Sequence, residues 1–535
     1  MRVGVMNAVL EPSARGRVFE AARRLTFDGV ELDVGREELG SRDRLASLLR
    51  ERAASGLDVP SLVLGELSDR GGIADDDPAV AEAARRDVER AIAWAAELGA
   101  GAILVPFFGR AEVDDEAAVD RAADAFRVLC PAAADAEIVL CYEGTLPAEA
   151  IRTLAGRVAS RAFGCYFDLA NVVARGMDSA TEIRALGPLI RRIHLKDIRV
   201  TVGDCAPGLG SIDFAESVRA LDEIGYDDWV VLETPPRPAE LVARDLSFAR
   251  SVLPGLPRPE WPRLGIFTYE FARGEWERAI ETCKRFGLTA LQLGGPLLDE
   301  CLESPQDVES IVALLDDAGI SIVALAGYRN LVAPDHATRR AGLDFLARCL
   351  ELAPLFGTSV VATETGTRSR HGDWEDSPEN TRPEARALLD ESLAELVAAA
   401  ERAGAILALE AHVKNMLRSP VQLLGLLERF ASPHLQVVLD PYNYVSHHLL
   451  PAHERLTRAF LDRFEHRFVL AHLKDVDPGG ADVGTIEFGT GSFAQEPYID
   501  FLATRRPDLP LILEHLPLEH VPAAINRVLD IREAL

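Results

Sequence analysis

Four consecutive residues, His194-Leu195-Lys196-Asp197, set an imidazole, an ammonium and a carboxylate at the end of an apolar run, and the same four return as His472-Leu473-Lys474-Asp475. The runs at 190–195 and 468–473 read as buried parallel strands with polar groups emerging at the C-terminal end. A single copy is weak evidence, because a strand-end histidine is often only a satisfied structural group. Here the surroundings repeat as well. Comparable runs end in Glu143, Asp168, His194 and Glu233 in the first half, and in Glu410, Asp440, His472 and Glu514 in the second. The offsets are 410−143 = 267, 440−168 = 272, 472−194 = 278 and 514−233 = 281, a slow drift of the kind loop insertions leave in a duplicated scaffold.

Three carboxylates and an imidazole gathered in an apolar mouth repel one another and lose hydration, and a divalent cation relieves both costs. Oxygen-rich ligation with one nitrogen suits Mn²⁺, Mg²⁺ or Co²⁺ better than a closed structural zinc site, with one ion expected in each half. The competing reading is a buried acid network paired with Arg and Lys.

The elements that must position these groups follow an alternation of short apolar runs and amphipathic segments, the pattern of βα units. In the first half the runs lie at 3–7, 29–34, 59–64, 102–107, 138–143, 165–169, 190–195 and 229–233. The second half supplies 264–268, 290–293, 320–324, 359–363, 406–410, 436–440, 468–473 and 511–514. Helix punctuation lies between them. Asp77 caps a helix with Pro78 in its first turn and Gly99 at its stop, and a second helix opens at Ser304-Pro305-Gln306-Asp307 and stops at Gly319. Eight repeats in roughly 250 residues predict a (β/α)8 barrel. The expected organisation is therefore α/β, two tandem (β/α)8 TIM barrels at 1–253 and 263–535, with a stiff linker at 254–262 rich in Pro254, Gly255, Pro257, Pro259 and Pro262. The long polar stretch at 365–383, with Arg368, Arg370, His371, Asp373 and Trp374, reads as a lid or as a surface excursion.

Length and composition fit this picture. A chain of 535 residues exceeds one hydrophobic core, and 48% hydrophobic with 27% charged residues describes an ordinary globular protein. A net charge of −28 argues against nucleic acid or an anionic membrane as partner. Seven scattered cysteines with no CxxC suggest reduced thiols in a cytoplasmic setting. The start of the chain runs directly into a strand, so no leader and no membrane span are expected.

Both halves resemble the xylose isomerase-like barrel family, the sugar phosphate isomerases and epimerases that also include type-two AP endonucleases. The resemblance rests on Glu143 in LCYEG, Asp168 in YFDLAN, His194 in IHLKD and Glu233 in VVLETP. It rests equally on Glu410 in LALEAH, Asp440 in VVLDPYN, His472 in AHLKD and Glu514 in LILEHL, and on glycine turns at 207–214 and 488–491. It implies that each set of four binds one divalent metal and that Glu143 with Glu233, and Glu410 with Glu514, double as acid and base. Family epimerases often carry a His three residues after the Asp, where this chain has Asn171 and Asn443. Asn hydrogen-bonds a hydroxyl but transfers no proton.

Candidate substrate contacts are Asn171, Asn443, Lys196, Lys474, His412 and Arg368, though either lysine could instead pair with the aspartate beside it. His412 follows Glu410 by two where the first half has Thr145, so the two sites are expected to differ. The implied function is isomerisation or epimerisation of a sugar or sugar phosphate, through an enediolate that metal stabilises and paired glutamates protonate. A β leaving group would turn the same chemistry into dehydration of a keto-sugar or inosose, and one barrel could be a non-catalytic binding module. The expected partner is a small carbohydrate, with assembly of identical chains compatible with the reading. The second half, with His412, His515 and the 365–383 loop, is the stronger catalytic candidate.

Overall fold

A computed structural model of the protein describes residues 1–14, 17–256, 261–477, 479 and 484–535. The first half closes into a parallel barrel of eight strands in sequential order. They are β1 (Arg2–Met6), β2 (Gly29–Asp33), β3 (Ser61–Val63), β4 (Ala102–Phe107), β5 (Val139–Gly144), β6 (Phe163–Asp168), β7 (Ile190–Leu195) and β8 (Trp229–Leu232). Closure comes from β1 pairing with β8, Val3 opposite Val230 and Val5 opposite Leu232. The runs are almost wholly buried because both faces of each strand are covered, by barrel interior on one side and helices on the other.

The second half repeats the closure with β9 (Leu264–Phe267), β10 (Ala290–Leu293), β11 (Ser321–Ala326), β12 (Val360–Glu364), β13 (Ile406–Glu410), β14 (Leu435–Leu439), β15 (Phe468–Leu473) and β18 (Leu511–Leu513). Between β15 and β18 an antiparallel pair, β16 (Asp475–Asp477) and β17 (Gly484–Ile486), stands outside the barrel. The sequence pattern did not signal it, since three-residue strands are too short to show alternation.

The helix signals hold where their local chemistry is complete. Asp77 accepts from the Ala79 amide at 2.8 Å, Pro78 occupies the first turn, and Gly99 ends the helix Pro78–Leu98 at φ +70°. Ser304 departs from expectation. It already closes the preceding helix, its amide donating to the Glu300 carbonyl, and its side chain caps nothing. The chain passes through a 3-10 turn at Pro305–Asp307 before the helix Val308–Asp317, and Gly319 supplies the left-handed stop at φ +72°.

The chain divides into two compact units. One takes Met1–Arg237 with a stretch from Asp245, and the other takes Pro238–Arg244 with the remainder to Leu535. Within the second unit Glu240 accepts from the Ser359 amide at 2.8 Å and from the Thr358 hydroxyl at 3.1 Å. Of the proline-rich stretch, Pro257 and Pro259 lie outside the described residues. Among the described residues no helix is long and apolar enough to cross a membrane, and the seven cysteines are buried free thiols.

Candidate metal centres

In each barrel the last four strands bring the predicted residues together. Glu143 lies on β5, Asp168 ends β6, His194 lies on β7 and Glu233 follows β8, and one ligand atom from each lies within 4.8 Å of the others. Glu410, Asp440, His472 and Glu514 form the same arrangement within the same limit. Backbone amides aim each aspartate. Asp168 Oδ1 accepts from the amides of Ala170 at 2.7 Å and Asn171 at 2.8 Å, and Asp440 Oδ1 accepts from Tyr442 at 3.1 Å and Asn443 at 3.3 Å. One oxygen of each is thereby spent, and the other is turned toward the cluster.

The donor set fits a divalent ion. His472 Nδ1 is a buried atom with no hydrogen-bond partner, and the inward oxygens of Asp168 and Asp440 meet only a lysine ammonium, at 2.8 Å and 2.7 Å. His472 Nδ1 stands 3.4 Å from Glu410, 3.6 Å from Asp440 and 3.5 Å from Glu514, as a ring of ligand atoms around a shared centre would. Three carboxylates and an imidazole so close together in a low-dielectric interior carry more negative charge than one lysine offsets, and a divalent cation fits the remainder.

Lys196 and Lys474 point into the clusters. Lys196 Nζ lies 2.8 Å from Asp168 and 2.5 Å from Glu233, and Lys474 Nζ lies 2.7 Å from Asp440 and 2.8 Å from Glu514. Neither lysine pairs with the aspartate beside it. Asp197 instead accepts from the amides of Ile198, Gly208, Gly210 and Ile212, and Asp475 from those of Val476, Gly489, Gly491 and Phe493. These buried carboxylates hold the glycine turns against the barrel mouths. Any side chain at Gly210 or Gly491 would be driven into that carboxylate and a neighbouring carbonyl.

The two glutamates of each pair are pushed in opposite directions. Burial raises Glu143 to about 7. Burial also works against ionising Glu233, but His194 and Lys196 outweigh it and hold that carboxyl well below its ordinary range. In the second barrel burial, with Asp440 close by, drives Glu410 well up, whereas Lys474 and His472 overcome burial and hold Glu514 down. With no metal bound, the two glutamates of each site thus sit on opposite sides of the ordinary carboxylate range.

Around this shared core the barrels differ. Beneath the first cluster lies Glu31, fully buried, which accepts from Ser61 at 2.5 Å and Tyr166 at 2.6 Å and meets His194 Nε2 at 2.8 Å. The second barrel has Gln292 there, 2.9 Å from His472 Nε2. Asp33, raised to about 6 mainly by burial, has Gly294 as its counterpart. The second site gains Glu364 at the end of β12, and Tyr328, whose hydroxyl donates to Glu410 at 2.7 Å. A list confined to the ends of the last four strands misses all of these. The signal available was a polar residue inside an apolar run, as in GVELD and ALQLG.

Of the remaining candidates, Asn443 Nδ2 donates to Glu410 at 2.5 Å, and Asn171 lines one cavity with Glu143 and Asp168. His412 is half-buried, its Nδ1 accepts from the Lys414 amide at 3.1 Å, and burial together with the Lys474 charge lowers it to about 4. Glu514 Oε1 stands 3.6 Å from His515, whose side chain is 49% exposed. Arg368 Nη1 donates to the carbonyls of Val332 at 2.7 Å and Ala333 at 2.9 Å. The 365–383 loop is braced by its own residues and by neighbouring loops. Asn380 accepts from the Arg368 amide and donates to the Lys414 carbonyl, and Asn330 donates to Thr367 and Asp373.

A closed parallel barrel with a Glu-Asp-His-Glu cluster at the C-terminal ends of its last four strands, built twice, defines a tandem TIM-barrel protein with two candidate metal centres. The chain belongs to the xylose isomerase-like TIM barrel family, whose model matches residues 19–252 and again 280–530. Among characterised relatives, 2-epi-5-epi-valiolone 7-phosphate 2-epimerase of Actinoplanes sp. is 32% identical over 201 residues, 37% of this chain and 72% of the relative. Inosose dehydratase of Geobacillus thermodenitrificans is 26% identical over 162 residues, 26% of this chain and 54% of the relative, so that the chain spans about half the dehydratase. Among solved structures, D-psicose 3-epimerase from Clostridium cellulolyticum H10 is 17% identical with a TM-score of 0.42, over 47% of this chain and 99% of that one.

Proposed function

We propose that the protein is a divalent-metal-dependent sugar isomerase or epimerase with one metal in each barrel, held by Glu143, Asp168, His194 and Glu233 and by Glu410, Asp440, His472 and Glu514. The observation that carries this reading is the pair of like clusters, in each of which ligand atoms of three carboxylates and one imidazole lie within 4.8 Å of one another. The epimerase relative, of which this chain covers most, supports the same reaction class. The bound ion would supply Lewis-acid polarisation of a substrate carbonyl and its neighbouring hydroxyl.

The chain's own residues do the rest. One glutamate of each pair, Glu143 with Glu233 or Glu410 with Glu514, takes a carbon-bound proton next to the carbonyl, and the other delivers one. Return of the proton to the opposite face of the same carbon epimerises it, and return to the neighbouring carbon isomerises the sugar. Lys196 and Lys474 hold substrate oxygens beside the clusters. Asn171 and Asn443 position a hydroxyl without exchanging its proton. The inosose dehydratase likeness favours a second reading, in which the same proton abstraction expels a β-hydroxyl as water.

A screen of ketoses, sugar phosphates and inososes in deuterated water with Mn²⁺ tests the proposal. Deuterium should enter the carbon next to the carbonyl in a metal-dependent manner, and loss of water would select the dehydratase reading. No metal-dependent exchange with any of these substrates would overturn both.

A further inference from the structure

The partner of the cluster histidine differs between the barrels by one atom type and one charge. His194 and His472 both turn Nδ1 to the carboxylates and Nε2 down into the barrel. Nε2 meets the Glu31 carboxylate at 2.8 Å in the first barrel and the Gln292 amide oxygen at 2.9 Å in the second. Register fixes the equivalence, with Glu31 opposite Met6 on β1 and Gln292 opposite Phe267 on β9. Both acceptors are fully buried, so neither is screened by water. Glu31 is itself held in place by Ser61 and Tyr166, which bond its other oxygen. Gln292 is tied more loosely, its Nε2 lying 3.4 Å from the Tyr328 hydroxyl.

We infer that Glu31 and Gln292 are positioning residues that make the two metal sites unequal, the first barrel holding its ion more tightly than the second. The inference rests on the metal-dependent reading above. Both acceptors take the Nε2 proton and so leave the Nδ1 lone pair directed at the ion. Only Glu31 adds a full negative charge behind the ring, which makes the imidazole a stronger donor and adds attraction for a dication. Each barrel also has one further acid that the other lacks, Asp33 in the first and Glu364 in the second. The first site is thus built for a resident ion and the second for an exchangeable one.

Titration of the metal-free full chain with Mn²⁺, following free Mn²⁺ by electron paramagnetic resonance, tests this. Two classes of site are expected, with His194→Ala removing the tighter and His472→Ala the weaker. Glu31→Gln should weaken the tight class by about 10- to 100-fold, and Gln292→Glu should tighten the weak one. If Glu31→Gln does not fold, the Gln292→Glu shift decides by itself. Equal affinities in the native chain, a tight class lost in His472→Ala, or an unmoved weak class in Gln292→Glu would overturn the inference while leaving the metal reading intact. A native chain that takes up no Mn²⁺ would overturn the metal reading and this inference with it.

Discussion

Glu364 stands directly across the β12–β13 ladder from Glu410, where the first barrel sets Pro106 opposite Glu143. The second site therefore carries an acid that the first lacks, held by a hydrogen bond from Asn415 Nδ2. Burial raises its carboxyl from 4.5 to about 7. Above pH 4.5 the unfolded chain releases this proton while the fold keeps it, so stability of the metal-free protein falls as pH rises toward 7. Glu364→Gln removes that loss. Denaturant unfolding of the metal-free chain should show the variant gaining on the native protein between pH 5 and pH 7.5, by on the order of a few kcal/mol. A constant difference across that range would mean the carboxyl is ionised in the fold.

The two clusters predict two metals per chain. His194→Ala and His472→Ala should each leave one, as read by elemental analysis after dialysis against Mn²⁺. Loss of both from either change would mean that the halves share one composite site.

Proton transfer should depend on the paired glutamates more than binding does. Glu143→Gln, Glu233→Gln, Glu410→Gln and Glu514→Gln keep side-chain size and remove the carboxylate. Each should lower deuterium exchange at its own site by about 10²- to 10⁴-fold, with a much smaller change in KM. Exchange at the native rate with metal bound would make that glutamate a ligand only.

Asp197 and Asp475 should be structural. Asp197→Ala strips one carboxylate from four backbone amides and should destabilise the first barrel by about 3 kcal/mol or more. Hydrogen exchange at 198–212 should rise selectively. Unchanged protection there would show that the glycine turn holds itself.

The sequence alone determined the two barrels and the eight cluster residues, and the reason is local. A ligand at a strand end interrupts an apolar run with one polar side chain, and the interruption shows without knowledge of what lies opposite. Partners were decided by the tertiary structure. Lys196 and Asp197 are adjacent in the chain, but side chains alternate along an extended backbone, so the lysine enters the cluster while the aspartate turns to the glycine loop. Glu31 reaches His194 only because a closed barrel brings β2 and β7 across a shared interior, 163 residues apart in sequence. Arg368 shows the converse. Its charge was legible, but only the packed loops reveal that the carbonyls of Val332 and Ala333 engage its guanidinium, because a hydrogen bond across two loops leaves no trace in the spacing of either.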